Sequence, residues 1–319
     1  MTSKVEARSA KKAAIDAAAR QARYAKSGSL FTRIRRKFYT KKFNRSLGGS
    51  ITLFLLLSIL ATVMFMPLVL IVNNAFKPLD ELLMFPPRFF VRNPTTGNFS
   101  DLAMLMQNTW IPLSRYAVNT VIITSIGTVG HLLFASMAAY PLAKCKFRGR
   151  NLLFSMVVLS LMFSAEVTAI PNYMIVTALG FNNTYGAIII PAFATSIGLF
   201  LMRQFMTQIP DSLIESARLD GASEFRIYAN IVMPNVKPAW LTVIILMFHS
   251  LWATTGGVFL RDEALKPLSF ALNQIVGGGI ARQGSGAAVA LIMMIPPIVF
   301  FLVSQARIME TMATSGMKD

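Results

Sequence analysis

Acidic residues are scarce in this chain of 319 residues: 14 Asp and Glu stand against 31 Lys and Arg, and charged residues of both signs make up only 14% of the whole. With 54% of residues hydrophobic, so low a charged fraction excludes an ordinary soluble globular domain of this length. Cysteine is limited to Cys145, which excludes an internal disulfide. Histidine is limited to His131 and His249, neither with a second metal-type ligand at helical spacing. Each is therefore read as an interhelical hydrogen-bonding group, and no metal site is expected. No G-x-x-x-x-G-K-[ST] phosphate loop is present, nor paired carboxylates or a nucleophile constellation outside the apolar runs. Their absence excludes ATP hydrolysis by the chain itself, and no catalytic residue is assigned.

What the chain has in abundance is long apolar runs. Six of them, near 51–73, 116–140, 152–176, 185–202, 239–260 and 287–306, are long enough to cross about 30 Å of hydrocarbon as helices, which takes roughly 20 residues each. Within these runs Glu166 is the only Asp, Glu, Lys or Arg. Runs so long and so free of charge favour helices over the alternating pattern of a membrane barrel. The expected fold is all-α: a polytopic membrane protein with six transmembrane helices in residues 51–319, preceded by a basic arm, residues 1–50.

The net charge of +17 is unevenly placed. Residues 1–50 hold 14 Lys and Arg against 2 Asp and Glu, and Lys144, Lys146, Arg148 and Arg150 cluster in the short loop after the second run. The loop near 177–184 carries no charge. Cations concentrated on alternate loops mark the cytoplasmic side, so both termini and the segment 203–238 are expected in the cytoplasm. This placement favours anionic membrane lipid over nucleic acid as the neighbour of the arm. The arm's positive run is too long for a signal-peptide n-region and no small-residue cleavage site follows, so the first apolar run is kept as a span.

Residues 203–238, RQFMTQIPDSLIESARLDGASEFRIYANIVMPNVKP, are polar and helix-forming between two apolar runs. Asp211 and Ser212 offer N-cap oxygens, Ser212 and Glu215 have capping-box spacing, and Gly221 stands where a helix end takes a left-handed residue. Ser223 then caps a second helix, which Pro234 ends. Leu213, Ile214 and Ala217 make an apolar patch on the first helix, and Phe225, Tyr228 and Val232 make one on the second. Such patches pack on the chain's own spans or seat in a partner's groove. On spacing alone, Glu215 is a capping carboxylate.

The run IESARLDGASEFRIYANIVMPNVKP resembles the EAA coupling loop of ATP-binding-cassette importer permeases, whose pattern is E-A-A, a glycine, then I-x-L-P. Glu215, Ala217, Asp220, Gly221, Ile231 and Pro234 hold the matching places. Ser216 replaces the first alanine and Met233 the leucine, both small changes in volume. LMRQFMTQIPDSLIESARLDGAS, IPNYMIVTALGFNNTYGAIIIPAF and the tail ETMATSGMK extend the likeness to carbohydrate-uptake permeases over roughly residues 75–319. The resemblance implies a type I importer permease fold in a bacterial cytoplasmic membrane. It implies a heterodimer with a second permease, two ATPase subunits that carry ATP and Mg while this chain binds no cofactor, and an extracytoplasmic solute-binding protein. It further implies that 203–238 seats in an ATPase cleft with Glu215 facing a basic residue, and that the tail near 311–318 lies by the ATPase dimer interface. Gly277, Gly278, Gly279, Ala281 and Gln283, in a glycine-rich outer loop, then probe the binding protein. A sugar or oligosaccharide is the implied solute; a permease for another solute is the nearest alternative.

Glu166 supports two readings: a polar group lining the translocation path or bonding a partner permease, and an acid near a span end that reaches interfacial water. Trp110, Tyr116 and Trp240 lie near span ends and are read as interface anchors. The small residues of TSIGTVG, including Gly127 and Gly130, are expected to allow close helix packing. An ion-driven transporter would carry buried charged pairs and, in many folds, an internal repeat; neither pattern is visible. A membrane scaffold is the third class.

Overall fold

The computed structural model describes residues 47–107 and 111–315, with side chains described as far as residue 305. The basic arm as far as residue 46, Trp110, and the end of the tail lie outside the described residues. Every regular element among the described residues is helical. The chain divides into two compact units between Met66 and Pro67, inside helix α1 (Leu47–Phe76). In the first unit, residues 48–66 expose almost every apolar side chain, Phe54 and Met64 among them, as a helix facing hydrocarbon does.

The second unit continues with α2 (Gly97–Gln107), α3 (Leu113–Lys144), α4 (Arg150–Ser160), α5 (Ala165–Ala178), α6 (Gly186–Phe193) and α7 (Ser196–Thr207). After the interior segment come α8 (Asp211–Leu219), α9 (Glu224–Ile227), α10 (Lys237–Trp252), α11 (Leu268–Val276) and α12 (Gln283–Ser315). Four helical stretches among the described residues are long and apolar enough to cross a membrane, and two bent pairs bring the number to as many as six.

Helix α3 is the axis of the packing. Its residues Ile123, Ala139 and Tyr140 join a buried cluster with Ile189 and Ala192 of α6, Met202 and Met206 of α7, and Val243 and Met247 of α10. Small residues let these helices approach, as TSIGTVG predicts: a Cβ on Gly127 would lie 2.5 Å from Leu251, and one on Gly130 would lie 2.2 Å from the Phe193 ring. His131 Nδ1 hydrogen-bonds the Ala192 carbonyl at 2.9 Å, the interhelical contact expected of it. His249 is exposed on α10 and, among the described residues, makes no side-chain hydrogen bond to another helix, unlike the expectation. A Cβ on Gly198 would fall 1.9 Å from His131 Nε2. Gly198→Ala is accordingly expected to destabilise the chain by about 1–3 kcal/mol, as overpacking does, while Gly48→Ala leaves stability unchanged. Thermal unfolding in detergent compares the two.

Three spans depart from the sequence expectation. The run 152–176 is broken: α4 and α5 meet at 112°, because the chain turns at Leu161 and extends at Ser164 (φ −75°, ψ 157°) to start a new helix. The run 239–260 is helical only to Trp252; Gly256 and Gly257, at φ +78° and +48°, turn the chain in a region that side-chain-bearing residues avoid. The run 185–202 is interrupted at Ala194 and Thr195 and extends on to Thr207.

At the end of the molecule away from 203–238, Tyr116 is buried rather than set at an interface. Its hydroxyl donates to Glu263 Oε1 at 2.8 Å, and it packs with Leu102, Leu272 and Val289. Asn119 donates to the carbonyls of Ala264 and Lys266 at 2.8 Å. The segment 74–107 is ordered by buried polar groups. Lys77 donates to Asn74 and the Arg88 carbonyl, and Glu81 accepts from the Arg92 amide at 3.0 Å. The exposed tip formed by Gly277, Gly278, Gly279, Ala281 and Gln283 joins α11 to α12 at this same end.

Candidate functional site

Helix α8 starts at Asp211, not at Ser212. Pro210 is its N-cap, with φ preset at −59° and no side-chain cap, so the Ser212–Glu215 capping box does not form. The glycine corner is as expected. Gly221 sits at φ +77°, its amide donates to the Arg218 carbonyl, and the Ala222 amide donates to the Ala217 carbonyl, both at 3.0 Å. This paired bonding is a Schellman closure. Ser223 caps α9 through the Arg226 amide at 3.4 Å.

The second helical stretch, Glu224–Asn235, ends one residue past Pro234, as expected to within a residue. The chain widens into a π turn, Tyr228–Val232, in which the Met233 amide reaches the Tyr228 carbonyl, and then passes through Met233–Asn235. Proline lies in that last short piece, one residue before the stretch ends. The turn into α10 comes at Val236, and the two helical stretches cross at 81°.

The two apolar patches divide between inside and outside. Ile214, Ala217, Tyr228 and Val232 join the buried cluster against the spans. Leu213, Leu219 and Phe225 point outward, with Leu219 89% and Phe225 69% exposed. Glu215, Asp220, Gly221 and Pro234 are exposed with them, and Ile231 is half-buried against the core. An outward surface of two leucines and a phenylalanine ringed by polar residues is the kind of patch that marks an interaction site.

The segment is fastened to the end of α3 by three residues spaced four apart. Ser136 shares a hydrogen bond with the Tyr228 hydroxyl at 2.7 Å, Tyr140 donates to Glu224 Oε2 at 2.6 Å, and Lys144 donates to Asp211 Oδ1 at 2.6 Å and to the Ile209 carbonyl. Arg218 closes the corner on Glu224 Oε1 at 2.7 Å. Hydrogen bonds from Arg218, then Tyr140, hold the Glu224 carboxyl below its ordinary pKa, and Lys144 does the same for Asp211. The Arg218 guanidinium is raised, chiefly by Glu224. Sequence reasoning passed over Ser136, Tyr140, Arg218 and Glu224, and read Lys144 only as a charge marking the side of the membrane. The available signal was a polar residue every fourth position at the end of an apolar helix.

Glu166 is exposed in the first turn of α5, just past the break with α4, rather than inside a continuous span. Neither it nor the 277–283 tip lies in the 203–238 segment.

Fold and surface together define a polytopic helical membrane protein with a rigid helix pair projecting from one end. Residues 131–314 match the family of binding-protein-dependent transport system inner membrane components, and the chain belongs to that family. It is 31% identical over 271 residues to the ABC transporter permease protein ORF2 of Caldicellulosiruptor sp. (strain Rt8B.4), covering 83% of this chain and 96% of that one. It is 28% identical over 274 residues to the arabinooligosaccharides transport system permease protein AraQ of Bacillus subtilis (strain 168), covering 84% and 95%. A crystal structure of a bacterial ABC transporter involved in the import of the acidic polysaccharide alginate superposes with a TM-score of 0.69 at 23% identity, over 82% of this chain and 98% of that chain. The all-α importer-permease fold and the resemblance read from the loop are thereby borne out. The chain is a multi-pass inner-membrane permease component and not an enzyme.

Proposed function

We propose that this chain is one of two permease subunits of an ATP-driven importer that accepts a sugar or oligosaccharide from an extracytoplasmic binding protein. The observation that carries the reading is the helix pair at 211–235: its corner is closed within the chain, yet Leu213, Leu219 and Phe225 stay exposed among the described residues. In this reading a cleft on each of two ATPase subunits, which hold the ATP and Mg, covers one such patch, with Glu215 facing a cation there. Closure of the ATPases displaces α8 and α9, and the Ser136, Tyr140 and Lys144 contacts pass that displacement to α3. The charge asymmetry supports cytoplasmic termini and a cytoplasmic 203–238, which leaves Gly277 to Gln283 to meet the binding protein outside. Glu166, exposed beside the α4–α5 break, lines the path or bonds the second permease. The relatives' named substrates, arabinooligosaccharides and alginate, support a carbohydrate cargo.

Proteoliposomes holding the copurified subunits test this. Uptake of a labelled oligosaccharide should require both ATP and the binding protein. Uptake driven by an ion gradient without the ATPase would overturn the proposal, and ATP-driven uptake confined to non-sugar solutes would overturn the cargo.

A further inference from the structure

The loop between α3 and α4 holds an open pocket of about 530 Å³, lined by Lys146, Phe147, Arg148, Arg150, Asn151 and Leu152. Further along α4, the guanidinium of Arg203 of α7 lies 3.8 Å over the Phe154 ring and within electrostatic reach of Arg150. Arg203 Nε is buried and has no hydrogen-bond partner. The ion pairs found among the described residues are Lys144–Asp211 and Arg218–Glu224; Asp211 also lies within electrostatic reach of Lys146 and Arg150, so the loop's cations share one carboxylate already bonded to Lys144. With one shared carboxylate among these cations, the loop carries an excess of positive charge that favours a further anion. The first turn of α4 adds backbone amides with no side-chain cap, a further attraction for negative charge.

The pocket continues onto an apolar surface. Leu152 lines it, and Leu152, Leu153 and Met156 are exposed along α4. A soluble anion leaves that surface unused. A ligand with a phosphate at one end and acyl chains at the other uses both. We propose that this loop is a specific site for one anionic phospholipid, with the headgroup phosphate on Arg148 and Arg150 and the chains along Leu152, Leu153 and Met156. The loop's place at the cytoplasmic leaflet rests on the orientation given under Proposed function; the chemistry of the pocket does not.

The full-length chain, purified with its copurifying subunits in a mild detergent, is titrated with dioleoyl phosphatidylglycerol and dioleoyl phosphatidylcholine, and retained lipid is counted by native mass spectrometry. The expected result is one phosphatidylglycerol per chain, held in preference to phosphatidylcholine. An Arg148→Gln/Arg150→Gln variant should hold it about 30-fold more weakly, the equivalent of ~1 kcal/mol for each cation removed at a membrane surface. An Arg148→Lys/Arg150→Lys variant, which keeps the charge, should retain most of the binding. Equal retention of the two lipids, unchanged retention in the Gln variant, or a Lys variant as weak as the Gln variant would each overturn the site. Full displacement of the lipid by millimolar inorganic phosphate would reassign the pocket to a free anion. Loss of the ATPase subunits from the Gln variant with lipid still bound would reassign it to protein contact. Cys145, the chain's single cysteine, lies beside the loop and reports which side it faces by maleimide labelling in sealed vesicles. Labelling from outside would remove the orientation without touching the lipid site.

Discussion

Gly221→Val is expected to reduce ATP-driven uptake at least tenfold while the chain still inserts and assembles. A Cβ at Gly221 would meet nothing within 4 Å, so the whole effect comes from the backbone, held at φ +77°. A β-branched residue there meets strain of about 1–2 kcal/mol, and the chain relieves it by opening the Schellman closure. The Ala222–Ala217 bond is then lost, and α9 no longer keeps its angle to α8. Gly221→Asn separates shape from identity, since asparagine tolerates the left-handed region and should keep most of the uptake. Uptake and substrate-stimulated ATPase activity are the measurements, with subunit recovery as the control. If Val and Asn behave alike, the corner has no part in coupling. Glu215→Ala should lower both activities without lowering thermal stability, because Glu215 is exposed and caps nothing.

Lys144→Met should have an effect of similar size on coupling and a measurable one on stability. The Lys144 side chain is 4% exposed and serves two acceptors, Asp211 and the Ile209 carbonyl. Its loss leaves that carbonyl without the partner it had, at about 1–3 kcal/mol for a buried group. Tyr140→Phe removes one bond to Glu224 and should have a smaller effect, about 0.5–1.5 kcal/mol. Substrate-stimulated ATPase activity should fall in Lys144→Met while basal ATPase activity persists; an unchanged ratio would show that α3 is not in the line of transmission. Acid should imitate these changes. The carboxyls of Asp211 and Glu224 are both depressed, so their contribution is complete above the ordinary carboxylate range near about pH 4 and is lost as pH falls through their lowered values. Amide exchange across 211–227, corrected for intrinsic rate, should therefore quicken only below about pH 4.

The spans and the interior loop were legible because hydrocarbon imposes a length and an absence of charge that composition displays directly. The α4–α5 break was not, because hydropathy scores a turn and a helix alike when both are apolar, as in SLMFSAE. The early end of α10 did have a signal, the glycine pair in TTGG, but it was read as part of a span. At α8 the capping-box spacing was present, yet Pro210 took the N-cap two residues earlier and left Ser212 inside the helix. The Schellman corner was read correctly because glycine at a helix end has few other uses. The Ser136, Tyr140 and Lys144 contacts escaped because each residue alone is ordinary and only their common spacing sets them apart. Which half of each apolar patch faces outward depends on where the other helices lie, and the pattern along the loop holds no record of that.

Those three contacts fall along nine residues of α3, eight steps and so about 12 Å of helix axis at 1.5 Å per residue. One attachment would be a pivot and several in a row a hinge; the burial of Ile214, Ala217 and Val232 against the spans opposes the swing that remains. In the proposed coupling, a displacement of the helix pair reaches α3 as a tilt, carried up past Pro141 to the level where His131 sits against Gly198 with no room to spare.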